Sequence, residues 1–502
     1  MIDFTFLLRP YARWRRQVLD HLDPAEAQQQ ELLSLVHHAA GTRFGQAHDF
    51  ARIRSVADFQ ARVPIRRYED FWEDYWKPAF PEVRDQTWPG LIPWYAATSG
   101  TTSGTTKYIP LTDAMLRSNR RAAIDILVHH LANHPESRPL GGKTFLLGGT
   151  TDVTPEAPGV ASGYLSGVAI RTQSRWMRPF AFPPPDMAAI DNWDRKLETF
   201  ARAGLKQNIA ILSGTPSWLL VLLDRMAELN DGRPAWPDLQ MLVHGGVAFD
   251  IYRDRFRPHL EGTAARTREV YPASEGFMAI ADRGDGDGMR LCLDNGIFFE
   301  FIPLEDLNSD TPARHWAATI ETGVDYAIVL SSNSGMFAYL IGDTVRFVDR
   351  RPPRLLITGR TSYMLSAFGE HLIGDEIDRA VNRAASEAGL TLHEFTVGPV
   401  LPAGPGAVGN HLFLIEPEGE ATADPSLLGQ AIDGYLSELN DDYRAHRHDG
   451  TGMGPPDIRL VPRGSFDGWM RSKGKLGGQH KVPRVLSNPE KFRTFLNEIN
   501  SL

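Results

Sequence analysis

Between residues 143 and 246, short apolar runs alternate with longer helix-patterned stretches, and few folds satisfy that alternation. The runs KTFLLGG, NIAILSG and LQMLVHGG are too short for helices and apolar almost throughout. A strand of that kind is covered on both faces. The stretches between them, DNWDRKLETFARAGLKQ and TPSWLLVLLDRMAELN, repeat apolar residues at three and four, and the second opens with Thr215 as cap and Pro216 in the first turn. Strand–helix–strand order predicts α/β layering with parallel pairing. From Thr267 the helical stretches vanish, and TREVY, FMAIAD, MRLCLD, IFFEFIP, YAIVLSS, MFAYLIG and TVRFVD follow one another across turns. A mixed or antiparallel sheet is expected there.

The chain of 502 residues is too long for one core. Its first hundred residues read as helical and irregular, with Asp23-Pro24 opening a helix that stops before Gly41. A boundary is marked by RPPRLLITGRTSYMLSAFG, residues 351–369. Beyond it come a helix from about Ile373, the alternating HLFLIEP, a helix near SLLGQAIDGYLSELN and a basic glycine-rich tail. The expected fold class is therefore α/β: a large N-terminal domain (1–357) of mixed sheets with flanking helices, a hinge (358–369), and a smaller α+β C-terminal domain (370–502).

The net charge of −9 argues against a generic nucleic-acid binder, which carries a basic excess. Cys292, the lone cysteine, reads as a small buried hydrophobe and fits a reducing compartment. In MIDFTFLLRPYARWRR the arginines follow the apolar patch, the wrong order for a secretory signal, and no run is long enough to span a bilayer. These features predict a soluble, cytoplasmic enzyme without membrane or nucleic-acid partners; they leave its oligomeric state open. The pairs His37-His38 and His129-His130, with His446 and His448, lack metal-ligand spacing and read as solvated or capping residues. DRGDGDGM has the wrong acidic spacing for a calcium loop and reads as a hairpin turn.

The chemistry concentrates in TSGTTSGTTKYIPLT, residues 98–112. Glycines admit close approach of a polyanion, Ser and Thr hydroxyls with backbone amides donate to it, and a lysine adds a point charge. A helix predicted from Thr112 places a positive dipole end immediately beyond or one short turn away. The stretch lacks the Gly-Lys-Ser/Thr of a Walker loop, and its composition alone also suits a linker. Its company decides the reading: YPASEG at 271–276, YLIGDTVRF at 339–347, GRTSYMLSAFGEHLIGDEI at 359–377 and GGQHKVPR at 477–484.

Taken in that order, these motifs make the chain resemble adenylate-forming enzymes, and specifically the Gretchen Hagen family of acyl acid amido synthetases, over roughly residues 60–490. The family's phosphate motif is met by Thr98, Ser99, Gly100, Thr101, Thr102, Gly104 and Lys107. Its other motifs are met by Tyr271, Ser274 and Glu275; by Gly342 and Asp343; by Gly359 and Arg360; and by Gln479, Lys481, Pro483 and Arg484.

The resemblance implies ATP and Mg²⁺ as cofactors. Thr98, Ser99, Thr101, Thr102 and Lys107 would bind phosphates, and Glu275 the metal. Tyr271 would pack on adenine, within a nucleotide site that also includes Ser274. Asp343 would accept from the ribose hydroxyls, Arg360 would reach ribose or phosphate, and Lys481 would be the catalytic lysine. By residue type alone, Tyr271 also suits a core, and Lys481 a solvated tail. The implied reaction activates a small carboxylic acid, aryl or indolyl, as an acyl adenylate and passes it to an amino-acid amine. Acid–coenzyme A ligation through the same first step is the alternative. Two departures from the family pattern stand out: Leu340 where plant members carry arginine, and His371 where many relatives carry lysine.

Overall fold

The computed structural model describes residues 3–98, 106–148, 153–173, 175–190, 193–246, 249, 252–307, 309–361, 364–370, 372–402, 407–419, 423–447, 452–473 and 482–501. Its backbone is a twelve-stranded sheet that changes character half-way. The strands Lys143–Leu147, Ile209–Gly214, Met241–His244 and Arg266–Ala273 pair in parallel, joined by helices that include Trp193–Gly204 and Pro216–Leu229. From Arg266–Ala273 onward the neighbours are antiparallel: Gly276–Ile280, Met289–Leu291, Pro353–Arg360, Met336–Arg350, Asp325–Ser332 and Ile297–Pro303. The expected α/β fold with mixed sheets is borne out, and the change falls at the strand that opens with the expected shift near Thr267. A second sheet of four strands contains Trp94–Thr98 and Lys107–Leu111.

Side-chain caps open several of the helices. Asp23 accepts from the amides of Ala25 and Glu26 ahead of the helix Pro24–Ala39, and Thr112 accepts from Met115 N at 3.0 Å ahead of Asp113–Asn133. Such caps contribute about 1 kcal/mol each. Thr215 departs from the expectation: it precedes Pro216–Leu229, but its side chain makes no capping bond.

Three further readings are corrected. A five-residue strand, Lys107–Leu111, stands between the glycine-rich segment and the following helix. MFAYLIG and TVRFVD form one strand, Met336–Arg350, because Gly342 adopts φ +95° and the register shifts there without ending the ladder. His129, His130 and His446 are buried rather than solvated. His448 lies outside the described residues.

Beyond the large sheet, Leu392–Val400, Asn410–Pro417 and Asp457–Leu460 form a three-stranded sheet flanked by Gly374–Glu387, Pro425–Leu439 and Pro489–Asn500. This is the smaller α+β portion. Its apolar cluster, from Leu365 to Val485, is distinct from the main cluster between Ala27 and Leu355. Within the marked stretch 351–369, Pro353–Arg360 is still a strand of the large sheet. Among the described residues no helix is long and apolar enough to cross a membrane.

Candidate active site

Five motif residues gather beside the strand at which the sheet changes from parallel to antiparallel. The strand Arg266–Ala273 carries Tyr271; the turn after it carries Ser274 and Glu275, both half-buried. Three and four strands further along the sheet, Arg360 and Asp343 sit directly opposite each other, and both strands are irregular there, the register shifting around Gly342 and again at Thr358. Bulges bend and twist a strand locally, which is how they re-aim a side chain toward a site.

Tyr271 donates its hydroxyl to Asp343 Oδ2 at 2.5 Å, and Arg360 Nε lies 2.6 Å from Asp343 Oδ1. Asp343 is thus fixed from two sides, while a carboxylate keeps further acceptor sites for incoming hydroxyls. Tyr339 donates to Glu275 Oε1 at 3.2 Å. Burial first, then the charge of the neighbouring carboxylate, pushes both tyrosine hydroxyls far above their usual range, so both stay protonated donors. Burial, and after it the charge of Asp343, raises the Glu275 carboxyl as well. Tyr271 is only 5% exposed, so what it offers the site is its hydroxyl more than a ring face.

Thr98 and Lys107 face each other across the antiparallel pair at the root of the glycine-rich segment. Lys107 is buried, with Nζ 3.1 Å from Glu69 Oε1 and 4.8 Å from the Tyr68 ring centroid. Ser99, Gly100, Thr101, Thr102, Gly104, His371, Gln479 and Lys481 lie outside the described residues.

Two participants were missed in the sequence. Tyr339 stood in a quoted motif with no role attached; Glu69 carried no signal, since its partner lies 38 positions away. Among the described residues no group of three His, Cys, Asp or Glu could hold a metal. Cys292 packs partly buried against a small apolar cluster, and burial raises its thiol pKa, in line with a structural residue.

Three models of one family match in chain order: the GH3 family N-terminal domain at residues 15–230, the central domain at 290–360 and the C-terminal domain at 375–490. The chain belongs to the GH3 family. Among curated GH3 relatives, "Probable indole-3-acetic acid-amido synthetase GH3.9" of Oryza sativa subsp. japonica is 29% identical over 274 residues, 51% of this chain and 61% of the relative. "Indole-3-acetic acid-amido synthetase GH3.8" of Oryza sativa subsp. indica is 26% identical over 275 residues, 51% of this chain and 44% of the relative. The chain therefore spans about half the length of the curated relatives it matches.

Among solved structures, a GH3.15 acyl acid amido synthetase aligns with a TM-score of 0.59 at 17% identity, covering 98% of this chain and 95% of that one. A 2-hydroxyisobutyryl-CoA ligase, in complex with 2-HIB-AMP and CoA, aligns equally well, with a TM-score of 0.59 at 19% identity and coverage of 95% and 92%. At these identities the likeness is one of fold.

Proposed function

We propose that this GH3 protein is an ATP-dependent acyl acid amido synthetase acting on an aryl or indolyl carboxylic acid and an amino acid. The observation that carries the reading is Asp343, held by both Tyr271 and Arg360 beside the Glu275 turn. Such a pre-oriented acceptor suits a ribose diol. The segment from Thr98 through Ser99, Thr101 and Thr102 binds the phosphates through its amides and hydroxyls.

An oxygen of the acid attacks the α-phosphorus and pyrophosphate leaves, giving a mixed anhydride. The Lys481 ammonium stabilises the charge that builds on the α-phosphoryl oxygens. The amine nitrogen then attacks the acyl carbon; the amide forms, AMP departs, and the surplus amine proton passes to solvent. Adenylation is needed because AMP leaves readily where oxide does not. Between the steps, residues 370–502 turn about the hinge at 358–369 and carry Lys481 out of the site.

Glu275 would offer Mg²⁺ one carboxylate oxygen, the kind of hard ligand that ion takes. When bound, that ion neutralises phosphate charge. The lone cysteine supports a cytoplasmic setting.

Coenzyme A ligation is the second reading, favoured by the equal fold match to a CoA ligase. Acid-dependent ATP–pyrophosphate exchange across aryl, indolyl and fatty acids tests the first step. Trapping the adenylate with an amino-acid mixture or with coenzyme A separates the two readings. Absence of exchange with every acid would refute both.

A further inference from the structure

Lys107 ends the glycine-rich segment, yet its ammonium is not held out toward solvent. Its side chain is 9% exposed, and Nζ is boxed between Glu69 Oε1 at 3.1 Å and the face of Tyr68 at 4.8 Å. A buried ammonium requires such a partner, because desolvation without one is costly. The next residue is tied to the same place: Tyr108 N donates to the Tyr68 hydroxyl at 2.8 Å.

The short helix Tyr68–Phe71 is itself fastened to the site strand. Arg66 N donates to Ala338 O, and Leu340 N donates to Arg66 O, both at 2.9 Å. Those two bonds bracket Tyr339, whose hydroxyl holds Glu275. One stretch of chain, 66–69, thereby links the root of the phosphate segment to the Glu275 carboxylate, and none of its residues belongs to a recognised motif.

We propose that Lys107 and Glu69 form a positioning pair that ties the root of the phosphate segment, Thr98 and Lys107, to the strand that carries Tyr339, with Lys107 acting through Glu69 rather than on phosphate. The consequence for ATP rests on the nucleotide-binding reading above; the pair itself does not. Neutralised by Glu69, Lys107 leaves the polyanion to the amides and hydroxyls of the segment, and its position opposite Thr98 sets the entry and exit of that segment.

Charge reversal separates positioning from contact. The full-length protein is compared with Glu69→Gln, Lys107→Glu, Glu69→Lys and the double swap Glu69→Lys/Lys107→Glu. The readouts are thermal melting, calorimetric titration with Mg·ATP in the absence of acid, and acid-dependent exchange. Glu69→Gln is expected to raise the Kd and KM for ATP about 10-fold with kcat within about twofold, a split that simple loss of fold stability would not give.

Each reversal alone is expected to lower the melting temperature. The double swap should recover melting and bring ATP affinity to within about threefold of the parent. Recovered melting with ATP affinity still as poor as in Lys107→Glu would overturn the proposal, because it would put Lys107 on phosphate. Recovery of neither would also overturn it. A parent protein that binds no Mg·ATP would refute the nucleotide reading instead; recovered melting in the swap would then still support the pair, and its absence would still overturn it.

Discussion

Acid should loosen the helix Asp113–Asn133, because two histidines near its end are held neutral. His129 and His130 lie in Asp113–Asn133 and are 3% and 0% exposed. Arg16 Nη1 lies 3.1 Å from His129 Nδ1, which must therefore accept. Ser137 gives its proton to Gln240 Oε1 at 3.0 Å, so His130 Nε2, 2.8 Å from Ser137 Oγ, must donate to it. His130 Nδ1 has no hydrogen-bond partner among the described residues. Burial above all, with nearby arginines adding to it, pushes both imidazoles down to about 3 from the usual 6.5.

The unfolded chain takes up these protons as pH falls below about 6.5, whereas the native state takes them up only near 3. The stability they contribute is full above pH 6.5 and drains away on the descent toward 3. At about pH 5 the deficit is roughly 1.5 units at 1.36 kcal/mol each, or about 2 kcal/mol per histidine and about 4 for the two. That is a large share of a typical 5–15 kcal/mol. Urea unfolding at about pH 7.5 and about pH 5, compared between the parent and His129→Gln/His130→Gln, isolates the effect, since shared carboxylates cancel. The double variant should lose about 4 kcal/mol less on acidification. If both proteins lose equal stability, the histidines do not resist protonation and the reasoning fails.

Tyr271→Phe removes the donor at 2.5 Å from Asp343 and should weaken Mg·ATP binding by about 1.5–3 kcal/mol in calorimetry, unchanged affinity ruling out an orienting role. Gly276→Ala would place a Cβ 2.6 Å from Ile297 Cδ1 at a φ of +153°. Urea denaturation should show a loss of about 1–3 kcal/mol. Lys481→Ala should slow acid-dependent pyrophosphate release roughly 10²–10³-fold while sparing aminolysis of a supplied acyl adenylate; near-normal release would remove Lys481 from catalysis.

The sheet was legible because its parallel strands are apolar on both faces, and its change of direction because helix-period stretches stop near Thr267. What escaped was set by contacts made at a distance. KYIPL contains a proline and only five residues, so nothing local marks it as a strand; pairing with Trp94–Thr98 does. Gly342 looked like a break because glycine usually ends a ladder, yet neighbours on both sides carry the strand through.

The histidines escaped for a different reason, and the signal was there. Met115, Ser118, Ala122, Asp125 and His129 follow one another at three and four, all on the buried face of one helix. That spacing places His129 inside, against the usual preference of the residue type.

The site divides along the same line. Tyr271, Glu275, Asp343 and Arg360 each stand in a short motif and could be named from it. Their partners cannot, because a hydroxyl on residue 339 reaching residue 275, or a carboxylate on 69 reaching 107, exists only once the sheet has closed. A motif records which groups meet the substrate. The groups that hold those groups still are recorded only in the packing, which is why Glu69, outside every motif, is the residue whose reversal most directly tests how this site is built.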